Sequence, residues 1–207
     1  MKTGMNLLLW TDHVTDEHFP LLAKLKAAGF DGVEIPMFHG DLAHYERIGK
    51  ELRNLGLGAT AVTVCNKDTN PISPESRIRL AGLAHIKNAI EWTEALGGDN
   101  LCGPYHSAIG EFTGQGPTAD EKEHGADVLR QAAEHAAKHK VTMAIEYLNR
   151  FECYFLTTAA DAVALVKKVG HPNFRTMYDT FHANIEEKDL AAAIAHLAPY
   201  MAHVHVS

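Results

Sequence analysis

The feature that most constrains this chain is a repeated beat in which a short apolar run is followed by a longer segment of helical periodicity. The short runs are "MNLLLW", "DGVEIP", "GATAVTV", "NLCG", "VTMAIE", "FRTMYD" and "MAHVHVS". Their length and β-branched content read as buried strands. Between them lie helical patterns such as "FPLLAKLKAAGF", closed by Gly29 as a C′ glycine, and "HYERIGKELRNLG", closed by Gly56. Ser73 and Pro74 are expected to cap and open a long third helix. Thr118 with Glu121, and Thr158 with Asp161, have capping-box spacing. Seven β/α steps with crossovers of this length imply a parallel sheet in a single domain over residues 1–207.

Two architectures fit that beat: a closed β/α barrel and a doubly wound open sheet. Glu34, Cys65, Glu146, Asp179 and His205 all fall at or just past the carboxyl ends of expected strands. A barrel gathers those ends at one mouth, whereas an open sheet strings them along an edge. No G-x-G-x-x-G or P-loop follows any strand, which counts against the nucleotide-binding open sheet. The expected fold is therefore α/β, a (β/α)8 barrel with about seven of its eight units in this chain.

Composition removes several function classes. A net charge of −7 gives no basic footprint for nucleic acid. No run reaches the roughly 18 apolar residues of a membrane span, and "MNLLLW" is too short for a signal segment. Three cysteines without C-x-x-C spacing do not make a disulfide framework or a structural zinc site. The expectation is a reduced, cytoplasmic protein. Among its 14 histidines, His135 and His139 stand at i, i+4. That spacing suits zinc only with a third ligand nearby; otherwise it is a solvated helix face.

Glu146, Asp179 and His205 each end a different strand and are the candidate metal ligands. Two carboxylates and an imidazole suit Mn²⁺, Mg²⁺ or Co²⁺, and also Fe²⁺ or Zn²⁺. Mn²⁺ is the expected ion. His203 and His205 alternate around Val204 and so share a face, with His205 nearer the mouth and His203 a layer deeper. Trp10 is placed to stack on a sugar or to pack on the first helix. His106, in the glycine-rich stretch "CGPYHSAIGEFTG", is a candidate substrate contact, with loop structure as the alternative reading.

The motifs "AIEYLNRFE", "MYDTFHANIEE" and "HVHVS", together with "GFDGVEIP", resemble the ketose 3-epimerases, the D-tagatose and D-psicose (allulose) 3-epimerase family of xylose-isomerase-like TIM barrels. The resemblance implies metal-dependent epimerisation of a ketose at C3 through an enediolate. It implies that Glu146 is both ligand and acid/base carboxylate, and that Asp179 and His205 are further ligands. It also implies that Glu152 and His182 hydrogen-bond the sugar. Arg150 is placed to orient Glu152, with a salt bridge fixing the loop as the alternative. The family's second acid/base carboxylate, also its fourth ligand, comes from an eighth strand, and a substrate-binding arginine follows the third ligand. Neither is found in these 207 residues, so the expectation is a truncated chain with weak metal binding and impaired turnover. The partner expected is a small sugar, and a homo-oligomer is compatible with the reading. Three rivals stand beside it: an aldose–ketose isomerase, an abasic-site endonuclease of the same barrel group, and a non-catalytic barrel completed by a partner.

Overall fold

The computed structural model describes residues 2–207. Its seven strands are β1 (Gly4–Asn6), β2 (Gly32–Pro36), β3 (Gly58–Val62), β4 (Asn100–Gly103), β5 (Thr142–Ile145), β6 (Phe174–Asp179) and β7 (Met201–His205). They form one sheet in sequence order, each strand parallel to its neighbours. The crossovers carry α1 (Phe19–Ala27), α2 (Leu42–Leu55), α3 (Ser76–Leu96), α4 (Ala119–Lys138) and α5 (Ala159–Val169), then a pair, α6 (Thr180–Glu186) and α7 (Leu190–Leu197). The sheet curls until β7 faces β2 across the interior, where His203 Nε2 lies 2.9 Å from Glu34 Oε2. This is an incomplete (β/α)8 barrel of seven units, with β1 and β7 as its outer strands.

The main core lies between sheet and helices. It is built from Leu, Ile and Val on both layers, with Tyr45, Tyr105, Tyr147 and Phe174 fully buried. A second, smaller cluster of Val62, Cys102, Ala144 and Met177 fills the barrel interior. Both faces of the sheet are thus covered, which is why its strands are continuously apolar instead of alternating. No helix among the described residues is long and apolar enough to cross a membrane.

Local signals set most helix starts. Thr118 and Glu121 make the expected capping box, and Thr158 Oγ1 accepts from Asp161 N. At the third helix the expected start is corrected. Glu75 is the N-cap and the helix begins at Ser76. Ser73 Oγ instead accepts from Glu75 N, and Arg79 Nη1 donates to the carbonyls of Ser73 and Pro74, so those residues close a turn ahead of the helix. "MNLLLW" is also shorter as a strand than expected. Asn6 Oδ1 accepts from Leu8 N at 2.9 Å and turns Leu7–Leu9 into a 3₁₀ segment.

Helices α2 and α3 cross closely at Gly49, and Tyr45 of α2 stacks on Trp92 of α3 at 5.3 Å. A Cβ on Gly49 would drive into the backbone carbonyl of Leu96, which cannot swing aside as a side chain does. Gly49→Ala is expected to lower stability by about 1–3 kcal/mol, read as a shift in the urea midpoint with an unchanged slope.

Candidate metal centre

The mouth is built where β5, β6 and β7 end. Glu146 follows Ile145, the last residue of β5; Asp179 ends β6; His205 ends β7. Parallel strands bring these three ends to one side, and the register pairs Asp179 with His205. His205 Nδ1 lies 3.6 Å from Glu146 Oε1 and 3.6 Å from Asp179 Oδ2. Those separations are too long for hydrogen bonds. They are close to the spacing of about 3.0–3.4 Å between donors that share one ion at bonds of about 2.1 Å. Glu146 and Asp179 are both 5% exposed, so two carboxylates lie side by side with little water to screen them. The donor chemistry and spacing fit a divalent cation.

Asp179 and His205 are each oriented by hydrogen-bond partners. Asp179 is the N-cap of α6, and its Oδ1 accepts from Phe181 N at 2.7 Å and His182 N at 3.2 Å. Its Oδ2 is turned to His205 and accepts from Ser207 Oγ at 3.0 Å. Burial alone would raise the Asp179 pKa, but the nearby His205 imidazole and the hydrogen bonds from Ser207 and the His182 backbone bring it below the usual carboxylate value. His205 Nε2 donates to Glu34 Oε1 at 2.8 Å, which leaves Nδ1 facing the two carboxylates. This carboxylate–histidine pairing fixes ring orientation and tautomer in metal sites. Burial disfavours a charged His205, yet Asp179, then Cys102, Glu146 and Glu34 hold its pKa far above the usual imidazole value. Negative potential is therefore concentrated at this point.

Glu34 is the group that sequence reasoning placed at a strand end without finding its role. Only 4% exposed, it accepts from Asn6 Nδ2 at 2.9 Å, Thr60 Oγ1 at 2.9 Å and Cys102 Sγ at 3.0 Å, besides His203 and His205. Asn6, Glu34 and Thr60 are register partners on β1, β2 and β3, so one barrel layer is tied together through a single carboxylate. Burial would raise the Glu34 pKa, but the hydrogen bonds from the two histidines outweigh it and keep the group ionised. His203 sits a layer below His205, as the alternation around Val204 implies.

His182 Nε2 is 3.7 Å from Glu146 Oε1, and His182 Nδ1 accepts from the backbone N–H of Asn149 at 3.1 Å. Asn149 Nδ2 in turn donates to Glu152 Oε1 at 2.7 Å. The expected Arg150–Glu152 pair is corrected. Arg150 makes a two-pronged pair with Glu186 at the end of α6, and Asn149 is what orients Glu152. His106 is fully buried, with Nδ1 2.8 Å from Ser107 Oγ and its ring beside Phe155. Burial pushes its pKa down to about 3, so it is neutral, and its surroundings are those of a packed loop residue. Trp10 stands half exposed beyond the 3₁₀ turn and not on β1 itself. The structure thus gathers Glu146, Asp179, His205, His182 and Glu152, and sets His106 inside a loop. A cavity of about 250 Å³ between the loops after β3, β4 and β5, walled by Lys67, Ser107, Glu121 and Tyr154, lies off to the side and is lined by none of the three donors.

Comparison with known proteins agrees with this fold. The family profile of the xylose isomerase-like TIM barrels matches residues 22–207. A D-psicose 3-epimerase of Agrobacterium fabrum is 31% identical over 99% of this chain and 72% of its own length. A solved L-ribulose 3-epimerase superposes with a TM-score of 0.92 at 31% identity, covering 100% of this chain and 70% of that one. A D-psicose 3-epimerase crystallised in the presence of D-fructose gives a TM-score of 0.89 at 30% identity, over 99% of this chain and 72% of that one. With its fold and these relatives in agreement, the chain belongs to the xylose isomerase-like TIM barrel family, as a homologue of its ketose 3-epimerases.

Proposed function

We propose that this chain carries out proton transfer at C3 of a ketose, at a divalent cation, Mn²⁺ first, held by Glu146, Asp179 and His205. The observation that carries the reading is the convergence of three strand ends on His205 Nδ1, at 3.6 Å from each carboxylate. The names of the relatives supply the substrate class. A divalent cation held by Glu146, Asp179 and His205 would supply stabilisation of the negative charge that develops on the sugar oxygens as the C3 proton leaves. Glu146 takes that proton, since it combines a place in the donor set with the contact to His182. Asp179, locked by the start of α6, keeps its geometry during the reaction. His182 and Glu152, joined through Asn149, bind sugar hydroxyls from the side facing the loop after β5. Neighbouring His203 stays in the layer beneath and does not touch the sugar.

Inversion at C3 also needs a proton delivered to the opposite face. The family resemblance gives that task to a carboxylate of an eighth strand, and these 207 residues form seven. We infer that Glu146 serves one face of C3 and exchanges that proton with solvent when the cation is bound. Incubation with Mn²⁺ in D₂O, followed by NMR of D-fructose and of D-psicose, tests this. The expected result is deuterium at C3, lost in Glu146→Gln. Deuterium at C1 with glucose or mannose as product would instead establish an aldose–ketose isomerase. Absence of exchange in both sugars with Mn²⁺ bound would refute the assignment.

A further inference from the structure

We propose that Glu91, His135 and His139, assisted by Glu94, form a second divalent-metal site of zinc-binding chemistry that clamps α3 to α4 on the outside of the barrel. His135 lies in the last turn of α4 and His139 is its C-cap, with ring centroids 4.5 Å from each other. Glu91 and Glu94 are three apart on α3 and meet them in order: His135 Nε2 is 2.9 Å from Glu91 Oε1, and His139 Nδ1 is 2.7 Å from Glu94 Oε2. Side chains at i, i+3 and i, i+4 share a helix face, so two packed helices present all four groups to one gap. A ligand atom from each of Glu91, His135 and His139 lies within 4.8 Å of the others, around a common point.

Two separate histidine–carboxylate hydrogen bonds need no such common point. Two imidazoles and a carboxylate are a zinc donor set, and the Glu94 contact is the pairing that orients a ligating ring. Both rings are about a quarter exposed or less, so ligand geometry is held by packing while an ion can still enter. The site lies at the carboxyl-terminal ends of α3 and α4, the opposite end of the barrel from the strand-end donors, and serves to brace the helical layer.

Zinc titration with a chromophoric competitor tests the proposal in a Glu146→Gln/Asp179→Asn background, which removes two donors of the first centre. That protein is expected to retain one zinc equivalent, and zinc should raise its Tm. Adding His139→Gln or His135→Gln should weaken binding on the order of a hundredfold, and Glu94→Gln about tenfold, with unchanged far-ultraviolet circular dichroism. X-ray absorption of the zinc-loaded background protein, which depends on no histidine variant, should show two imidazole shells. Failure of the background protein to bind stoichiometric zinc, equal affinity in folded His139→Gln, or a zinc spectrum without imidazole would overturn it.

Discussion

Glu146→Gln is expected to cost this chain on the order of a hundredfold or more in Mn²⁺ affinity, measured by isothermal titration, while leaving its fold intact. Loss of partners that merely orient a ligand typically costs 10–100-fold, and a lost ligand belongs at or beyond the upper end of that range. The amide keeps the size of the side chain but removes half of the carboxylate charge at the centre, so packing is preserved and the cation loses its attraction. Glu146 makes no contribution to a helix cap, unlike Asp179. Asp179→Asn should therefore show two effects: weaker Mn²⁺ binding, and a stability loss of about 0.3–1 kcal/mol at the α6 start, because the amide still caps the helix but no longer carries the negative charge its N-terminus favours. Equal Mn²⁺ affinity in wild type and Glu146→Gln would remove Glu146 from the donor set.

Glu34→Ala is expected to be the most destabilising substitution in the barrel interior, at about 3–5 kcal/mol. The carboxylate is buried and accepts from five side chains on four other strands: Asn6, Thr60, Cys102, His203 and His205. Alanine leaves those donors without an acceptor, and each buried orphan costs its full desolvation penalty. It also frees His205 to rotate, so Mn²⁺ affinity should fall about 10–100-fold even though Glu34 faces away from the ion. Glu34→Gln retains one acceptor oxygen and should sit between wild type and alanine in both readouts. Urea unfolding and Mn²⁺ titration of the two variants check this. A wild-type denaturation midpoint in Glu34→Ala would show that the interior layer does not depend on this carboxylate.

What could be read from the sequence follows the range of the interactions involved. The Thr118–Glu121 box and the glycines that close helices act within one turn, so spacing alone reveals them. The strand-end donors were legible because barrel topology converts position along each strand into convergence at the mouth. Glu34 was legible as a strand-end residue, but its acceptor role was not, because its partner His205 is 171 residues away and approaches from the far side of the curled sheet. Helix α6 escaped because "TFHANIE" begins directly at the last strand residue, with no loop to announce it, and is only 7 residues long. That omission explains the misassigned partner of Arg150, since Glu186 is placed by α6 and by nothing local to Arg150. The third ligand that His135 and His139 require lies on another helix, in a position no spacing rule on α4 could supply.

We propose that one cation is held jointly by the ends of β5, β6 and β7. Anomalous diffraction at the manganese edge from crystals soaked in Mn²⁺ tests it most directly. The expected map has one strong peak bonded to the carboxylates of Glu146 and Asp179 and to Nδ1 of His205, with Nε2 still on Glu34. A mouth without a peak at saturating Mn²⁺, or an ion bound through Glu34 and His203 in the layer below, would contradict it.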